Sequence, residues 1–300
     1  MSMDAYVTDQ ATGEGWELML GDSCERLTEI PEASVDLSVY SPPFASLYTY
    51  SPSERDLGNC QSREEFFEHY AFIIEQVLRL TKPGRLSCVH VQQLSTTKAT
   101  DGVIGLTDFR GEVIAAHIAA GWIFHGEVTV DKDPQAQAIR TKAQALMFNT
   151  LNRDSSMSRP AMADYVLIFR KPGENAEPIK PDCDNETWIQ WARPVWYEIR
   201  ESDTLNGRVA REDADERHIA PLQLGLIDRC VRLWSNEGET VLSPFAGIGS
   251  EGVMSLRNGR RFVGCELKPS YWKVARENLE RETGQIRLTG GSSMDEEVAA

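Results

Sequence analysis

Paired-cysteine spacings, proline-cysteine pairs, metal-ligand histidine patterns and long apolar runs are all missing from this 300-residue chain. The six cysteines, Cys24, Cys60, Cys88, Cys183, Cys230 and Cys265, never form C-x-x-C, so they read as reduced, mostly buried thiols and not as a disulfide frame or zinc cluster. His69, His90, His117, His125 and His218 are equally scattered, and no metal is expected. No apolar stretch is long enough to span a bilayer, and the opening Met1-Ser-Met-Asp-Ala lacks the basic flank and apolar core of a signal peptide. A cytoplasmic protein without membrane contact is therefore expected. Positive charge is also short: 31 Lys and Arg stand against 46 Asp and Glu, and the net charge of -15 opposes non-specific attraction to a polyanion. What is present, 41% hydrophobic residues, suffices for one sizeable core, a single α/β domain with an inserted module.

Periodicity divides that domain into alternating elements. Glu17 to Leu20 reads as a short strand ending at Gly21-Asp22, followed by a helical turn from Ser23 to Leu27 and a strand from Val35 to Tyr40. Phe67, Tyr70, Ala71, Ile74, Val77 and Leu78 form a helical stripe within Glu64 to Leu80, closed by Lys82-Pro83-Gly84. Arg85 to Val91 is a strand, Phe109 to Ala120 a helix and Trp122 to Val130 a strand. This alternation predicts a doubly wound, mostly parallel, Rossmann-like sheet covered on both faces, with ligands at the carboxyl ends of the strands.

Two motifs sit at such strand ends. After Tyr40 comes Ser41-Pro42-Pro43-Phe44. The prolines fix φ and have no N–H, so nearby carbonyls can face a pocket. Ser41 Oγ and the Pro42 carbonyl can accept from a planar amino group while Phe44 stacks on it. The same four residues also suit an ordinary strand and turn. About 200 residues later, Glu239-Thr-Val-Leu-Ser243-Pro244-Phe245-Ala-Gly247-Ile-Gly249-Ser250-Glu-Gly252 runs from strand to glycine loop to helix. Gly247 and Gly249 allow close backbone approach to a ligand. A second strand, Arg261 to Glu266, ends in a carboxylate placed to accept ribose hydroxyls, which points to an adenosine-containing cofactor. A tight turn followed by a solvated acid is the plainer alternative.

Together these segments resemble the S-adenosylmethionine-dependent amino-methyltransferases of DNA in which the catalytic tetrapeptide precedes the cofactor loop. Ser41 to Phe44 is similar to that family's catalytic signature, and Ser243 to Gly249 to its cofactor signature, with Ser243 where the family has Asp. His218-Ile-Ala-Pro221-Leu222 resembles the segment bordering the methionine part of the cofactor, and Gly21-Asp22 the acid that reads adenine. Asp164 to Lys171 resembles the late strand of the catalytic half. The resemblance implies catalysis by Ser41, Pro42, Pro43 and Phe44, and binding of S-adenosyl-L-methionine by Asp22, His218, Pro221, Leu222, Ser243, Phe245, Gly247, Gly249 and Glu266. It further implies bacterial or phage-encoded restriction-modification chemistry on double-stranded DNA, with a homodimer left open.

Carbon-5 methylation of cytosine needs a cysteine nucleophile, typically after proline, and none of the six follows one. Direct transfer to an exocyclic nitrogen of a flipped base is left. Serine in the first motif position resembles enzymes acting on N4 of cytosine, with N6 of adenine the alternative. Gly247-x-Gly249-x-x-Gly252 with Glu266 also fits an NAD-dependent oxidoreductase, and a catalytically inactive DNA-binding protein is a third reading.

The expected organisation is a catalytic half over 1–171, an inserted target-recognition module over 172–217, a cofactor half over 218–288 and a disordered tail over 289–300. Between Lys132 and Lys171, seven basic residues (Lys132, Arg140, Lys142, Arg153, Arg159, Arg170, Lys171) face three acidic ones (Asp133, Asp154, Asp164), a stretch suited to phosphates or simply to solvent. In the module, Arg193, Arg200, Asn206 and Arg208 can reach base edges, while at least two of Trp188, Trp191 and Trp196 are expected to pack a small core. Tyr48 and Tyr50 read either as contacts to the target base or as plain loop aromatics.

Overall fold

The computed structural model describes residues 6–44, 55–60, 62–96, 98–141, 143–206 and 221–290. His218, Tyr48, Tyr50, Lys142 and Arg208 lie outside the described residues. The strands are β1 Asp9–Gly13, β2 Trp16–Leu20, β3 Val35–Tyr40, β4 Thr81–Gln92, β5 Leu94–Thr96, β6 Gly105–Thr107, β7 Ile123–Val130, β8 Asp164–Arg170, β9 Val195–Trp196, β10 Thr240–Ser243 and β11 Arg261–Glu266. The helices are α1 Ser23–Arg26, α2 Arg63–Leu80, α3 Lys98–Asp101, α4 Phe109–Ala119, α5 Pro134–Thr141, α6 Phe148–Arg153, α7 Asn185–Trp191, α8 Leu224–Trp234, α9 Ser250–Arg257 and α10 Pro269–Gly290. No helix among the described residues is long and apolar enough to cross a membrane.

The main sheet has the order β1-β2-β11-β10-β3-β4-β8-β7-β9. Its central run from β2 to β4 is parallel, β8 is antiparallel to both neighbours, and β1 closes the far edge as a hairpin with β2. The expected mostly parallel, doubly wound α/β sheet is thus observed. All six residues of β3 are buried, as a central strand covered on both faces requires.

Each face is covered by helices whose apolar stripes explain them. On one side α2 and α4 bring Phe66, Tyr70, Ile74, Val77, Phe109 and Val113 against Tyr40, Val89 and Phe169. The α2 stripe is rotated from its expected position: Phe66, Ile73 and Leu80 are buried, while Phe67, Ala71 and Leu78 are only half-buried. Aromatic contacts of Phe66 with Tyr70 and Phe109 draw that edge of the helix inward. Ser62 caps α2 by accepting from the Glu65 amide. On the opposite face α8 packs Leu226, Ile227, Cys230 and Val231 on Leu37, Val39 and Val241, and α9 and α10 bury Val253, Ala275 and Leu279 with Leu18 and Phe262. Burial of each large side chain contributes about 1.5–3 kcal/mol.

At the amino ends of the strands a buried ion cluster ties β3, β4 and β10 together. Asp36 accepts from Lys82 Nζ at 2.7 Å, from Arg85 at 3.3 Å and from the Thr240 amide at 3.0 Å. Arg85, only 1% exposed, also pairs with Glu239.

The segment expected as an inserted module does not stand apart from the domain. Its strand β9 pairs with β7 at the sheet edge, and Trp196 is fully buried, stacked on Trp234 at 6.1 Å. Trp191 is partly buried beneath Arg229 and Arg232, whereas Trp188 is 48% exposed. Burial of Trp196 and Ile199 in the α8 face anchors the segment despite its prolines. At the other end of the chain, α10 continues to Gly290, past the expected start of the tail at 289; residues 291–300 lie outside the described residues.

Candidate active site

Chain order reverses between β10 and β3, so the helices leaving these two strands go to opposite sides and a crevice opens at their carboxyl ends. A cavity of about 400 Å³ occupies it. Three neighbouring strands, β10, β11 and β2, bring the glycine loop, Glu266 and Asp22 to one wall, and β3 brings Ser41 to Phe44 to the other. Their ends are stitched by backbone bonds from Gly21 to the Glu266 carbonyl, 2.9 Å, and from Ala246 to the Cys265 carbonyl, 2.8 Å.

The glycine loop is shaped by backbone angles. Gly247 and Gly249 have φ of 54° and 87°, in the left-handed region that favours glycine. A side chain at Gly247 would meet nothing within 4 Å, so its backbone faces open space, whereas one at Gly249 would press on Ala275 at 3.3 Å. Glu266 turns its carboxylate back onto this loop, accepting from the Gly247 amide and the Lys268 amide at 2.8 Å each. Burial, only partly offset by these two amides, pushes its pKa up to about 7. Ser250, the first residue of α9, lines the cavity with a buried hydroxyl that has no partner among the described residues. An oriented acid, an exposed backbone and an unpartnered hydroxyl together fit an adenosine-containing amino-acid cofactor.

Asp22 caps α1 through the Cys24 amide at 2.9 Å and pairs with Arg55 at 3.2 Å. Pro221, Leu222 and Phe245 also line the cavity. Ser243 and Gly249 are not on the wall: Ser243 is fully buried at the end of β10, its hydroxyl without a partner among the described residues.

On the wall after β3, Pro42 is buried and Phe44 half-buried, its ring edge-on to Phe109 at 6.0 Å. Ser41 Oγ lies 3.2 Å from both the carbonyl oxygen and Nδ1 of His90. His90 Nε2 is 3.0 Å from Asp164, which also pairs with Lys132 at 2.6 Å. Burial alone would raise the Asp164 pKa, but the His90 hydrogen bond, together with Lys132, outweighs it and holds the carboxyl below its ordinary range. An ionised Asp164 can only accept, so Nε2 of a neutral His90 carries the proton and Nδ1 is an acceptor facing Ser41.

His90 and Glu251 were not among the expected site residues; Lys132 was expected only as a member of a charged stretch, and Asp164 as a member of that stretch and the start of the late strand of the catalytic half. His90 stood in a strand without any motif. Glu251 stood inside the glycine-loop motif, where its being an acid was the available signal. It follows Ser250 in α9, is 4% exposed and lines the cavity.

The DNA methylase family model for N6 and N4 methyltransferases matches residues 35–277. The chain is 38% identical to Type II methyltransferase M.Cfr9I of Citrobacter freundii over 306 aligned positions, covering 91% of each protein. It is 40% identical to the orphan methyltransferase M.BamHII of Bacillus amyloliquefaciens, covering 84% of this chain and 91% of the relative. Its fold is similar to that of TTHA0409 of Thermus thermophilus, crystallised with S-adenosyl-L-methionine, with a TM-score of 0.65, 25% identity and coverage of 88% and 92%. The chain therefore belongs to the N6 and N4 DNA methylase family, the S-adenosylmethionine-dependent amino-methyltransferases of DNA.

Proposed function

We propose that this enzyme transfers a methyl group to N4 of cytosine in double-stranded DNA, with the target base flipped into the cavity beside Phe44. The carrying observation is that a serine, not a carboxylate, heads the catalytic motif, with its hydroxyl beside His90. Serine there resembles the cytosine-N4 enzymes of the family.

When bound, S-adenosylmethionine supplies an electrophilic methyl on a sulfonium. The residues of this chain do the rest by placement. Both hydrogen-bond partners of Ser41 lie on His90, so the hydroxyl proton points there and the oxygen lone pairs are left to accept from the exocyclic amino group. That contact, with the Pro42 carbonyl, turns the nitrogen lone pair toward the methyl. Bound there, the donor would supply the methyl for the new N–C bond, and the electrons of its S–C bond would leave with sulfur. The methylated nitrogen then sheds a proton, for which Ser41 Oγ and His90 Nδ1 offer a route while Asp164 steadies the imidazole. Glu266 would hold the ribose, Asp22 the adenine amino group, and Pro221, Leu222 and Phe245 would close the cavity around the cofactor.

Recognition of the surrounding sequence falls to the 172–217 segment, aided by the basic stretch before β8. Arg153 there is exposed and Arg159 half-buried, both placed for phosphate contacts that weaken with salt. We place the reaction in the cytoplasm of a bacterial host. The test is incubation with unmethylated duplex DNA and S-adenosylmethionine, then nucleoside mass spectrometry after complete digestion. N4-methylcytosine is expected. N6-methyladenine would overturn the choice of base and keep the transfer chemistry; no methylated nucleoside despite bound cofactor would overturn both.

A further inference from the structure

We propose that Glu251 is the residue that meets the net positive charge of the methyl donor, making the cavity prefer S-adenosylmethionine over its neutral demethylated product. The inference rests on the cofactor reading of the cavity. Glu251 is buried in the first turn of α9 and lines the same cavity as Gly247, Ser250 and Glu266. No ion pair to it is found among the described residues, and its carboxylate is left with its own backbone amide. The other acid, Glu266, is already held by two amides. Two carboxyl groups sharing one desolvated wall repel each other, and desolvation with that repulsion pushes the Glu251 pKa up to about 8. A buried acid in this state gains most from a ligand that brings its own cation.

The donor brings one. Its sulfonium and ammonium outnumber its carboxylate, for a net charge of +1, whereas the demethylated product is neutral overall. Beside a buried carboxylate a unit charge counts for more than in solvent. Methyl transfer removes the attraction that held the donor, so the same carboxylate that favours loading favours release of the product. Glu251 thus acts as a specificity-determining residue and is not required for the transfer step itself.

The test is equilibrium binding by calorimetry, without DNA, of three ligands at one pH and ionic strength. They are S-adenosylmethionine, S-adenosylhomocysteine and sinefungin, which has an amino-bearing carbon in place of the methylated sulfur and so remains cationic. Wild-type protein is expected to bind both cationic ligands at least about tenfold tighter than the neutral one, the effect of one pKa unit. Glu251→Gln is expected to lose that preference, mainly through weaker binding of the cations. Equal affinities in the wild type would overturn the proposal without any variant. So would an unchanged preference in Glu251→Gln, or an equal loss for all three ligands, which would place the carboxylate on the ammonium they share. Failure of the folded wild type to bind any of them would instead overturn the cofactor reading.

Discussion

Removing the charge from Glu251 while keeping its shape should stabilise the cofactor-free protein at alkaline pH and leave it nearly unchanged in acid. The folded-state pKa is raised by burial and by Glu266 from an ordinary 4.5 to about 8. A raised carboxyl contributes its full stability below the unfolded pKa and loses it as pH climbs through the folded value. The window here runs from about pH 4.5 to about pH 8, a shift of about 3.5 units, which at 1.36 kcal/mol each gives a ceiling near 5 kcal/mol. Water entering from the open cavity relaxes part of that, so about 2–4 kcal/mol is the expected loss in the wild type. Glu251→Gln cannot ionise and removes this slope together with its repulsion of Glu266, while the titrating groups away from the cavity stay the same in both proteins. Urea denaturation of wild type and variant at pH 5 and pH 9, without cofactor, isolates the term as the change in their stability difference. Parallel curves across that range would refute the argument that Glu251 is buried without a compensating charge.

Ser41→Ala should lower the methylation rate by about 10²-fold, the usual cost of losing one oriented transition-state contact, while the calorimetric affinity for S-adenosylmethionine stays within twofold. Equal loss of both would remove Ser41 from the catalytic wall. His90→Gln should cut kcat about tenfold, leave KM for DNA within twofold and alter the pH profile of kcat, because a positioning residue for Ser41 does not touch the duplex; unchanged kcat and pH profile would refute the His90 assignment. At the far end of the strands, Asp36→Ala leaves the buried Arg85 with Glu239 alone and strips the Thr240 amide of its acceptor, for an expected loss of about 3 kcal/mol in urea denaturation. A loss under about 1 kcal/mol would mean that solvent reaches the cluster.

What could be read from the sequence was what lies contiguous along it. β3 and β11 fall where their residues place them, since a buried strand between turn signals leaves little choice of ends. β1 escaped notice because four of its five residues are exposed and it owes its existence to pairing with β2. The two motifs could be picked out for the same reason as β3: each lies within a few consecutive residues, and both border the cavity. The support for Ser41 is not contiguous, and register assembles it. Tyr40 pairs with Val89, which puts Ser41 beside His90; Gln92 pairs with Asp164, which puts that acid diagonally across from His90; and Val130 pairs with Asp164, which leaves Lys132 just beyond it. Four adjacent strands therefore lay serine, histidine, aspartate and lysine in one row along the same end of the sheet. Because β8 runs antiparallel to β4, the start of β8 meets the end of β4, and Asp164 would otherwise sit at the opposite edge of the molecule. The reversal of β8 is what brings a carboxylate to His90, and with it the tautomer that leaves Ser41 an acceptor.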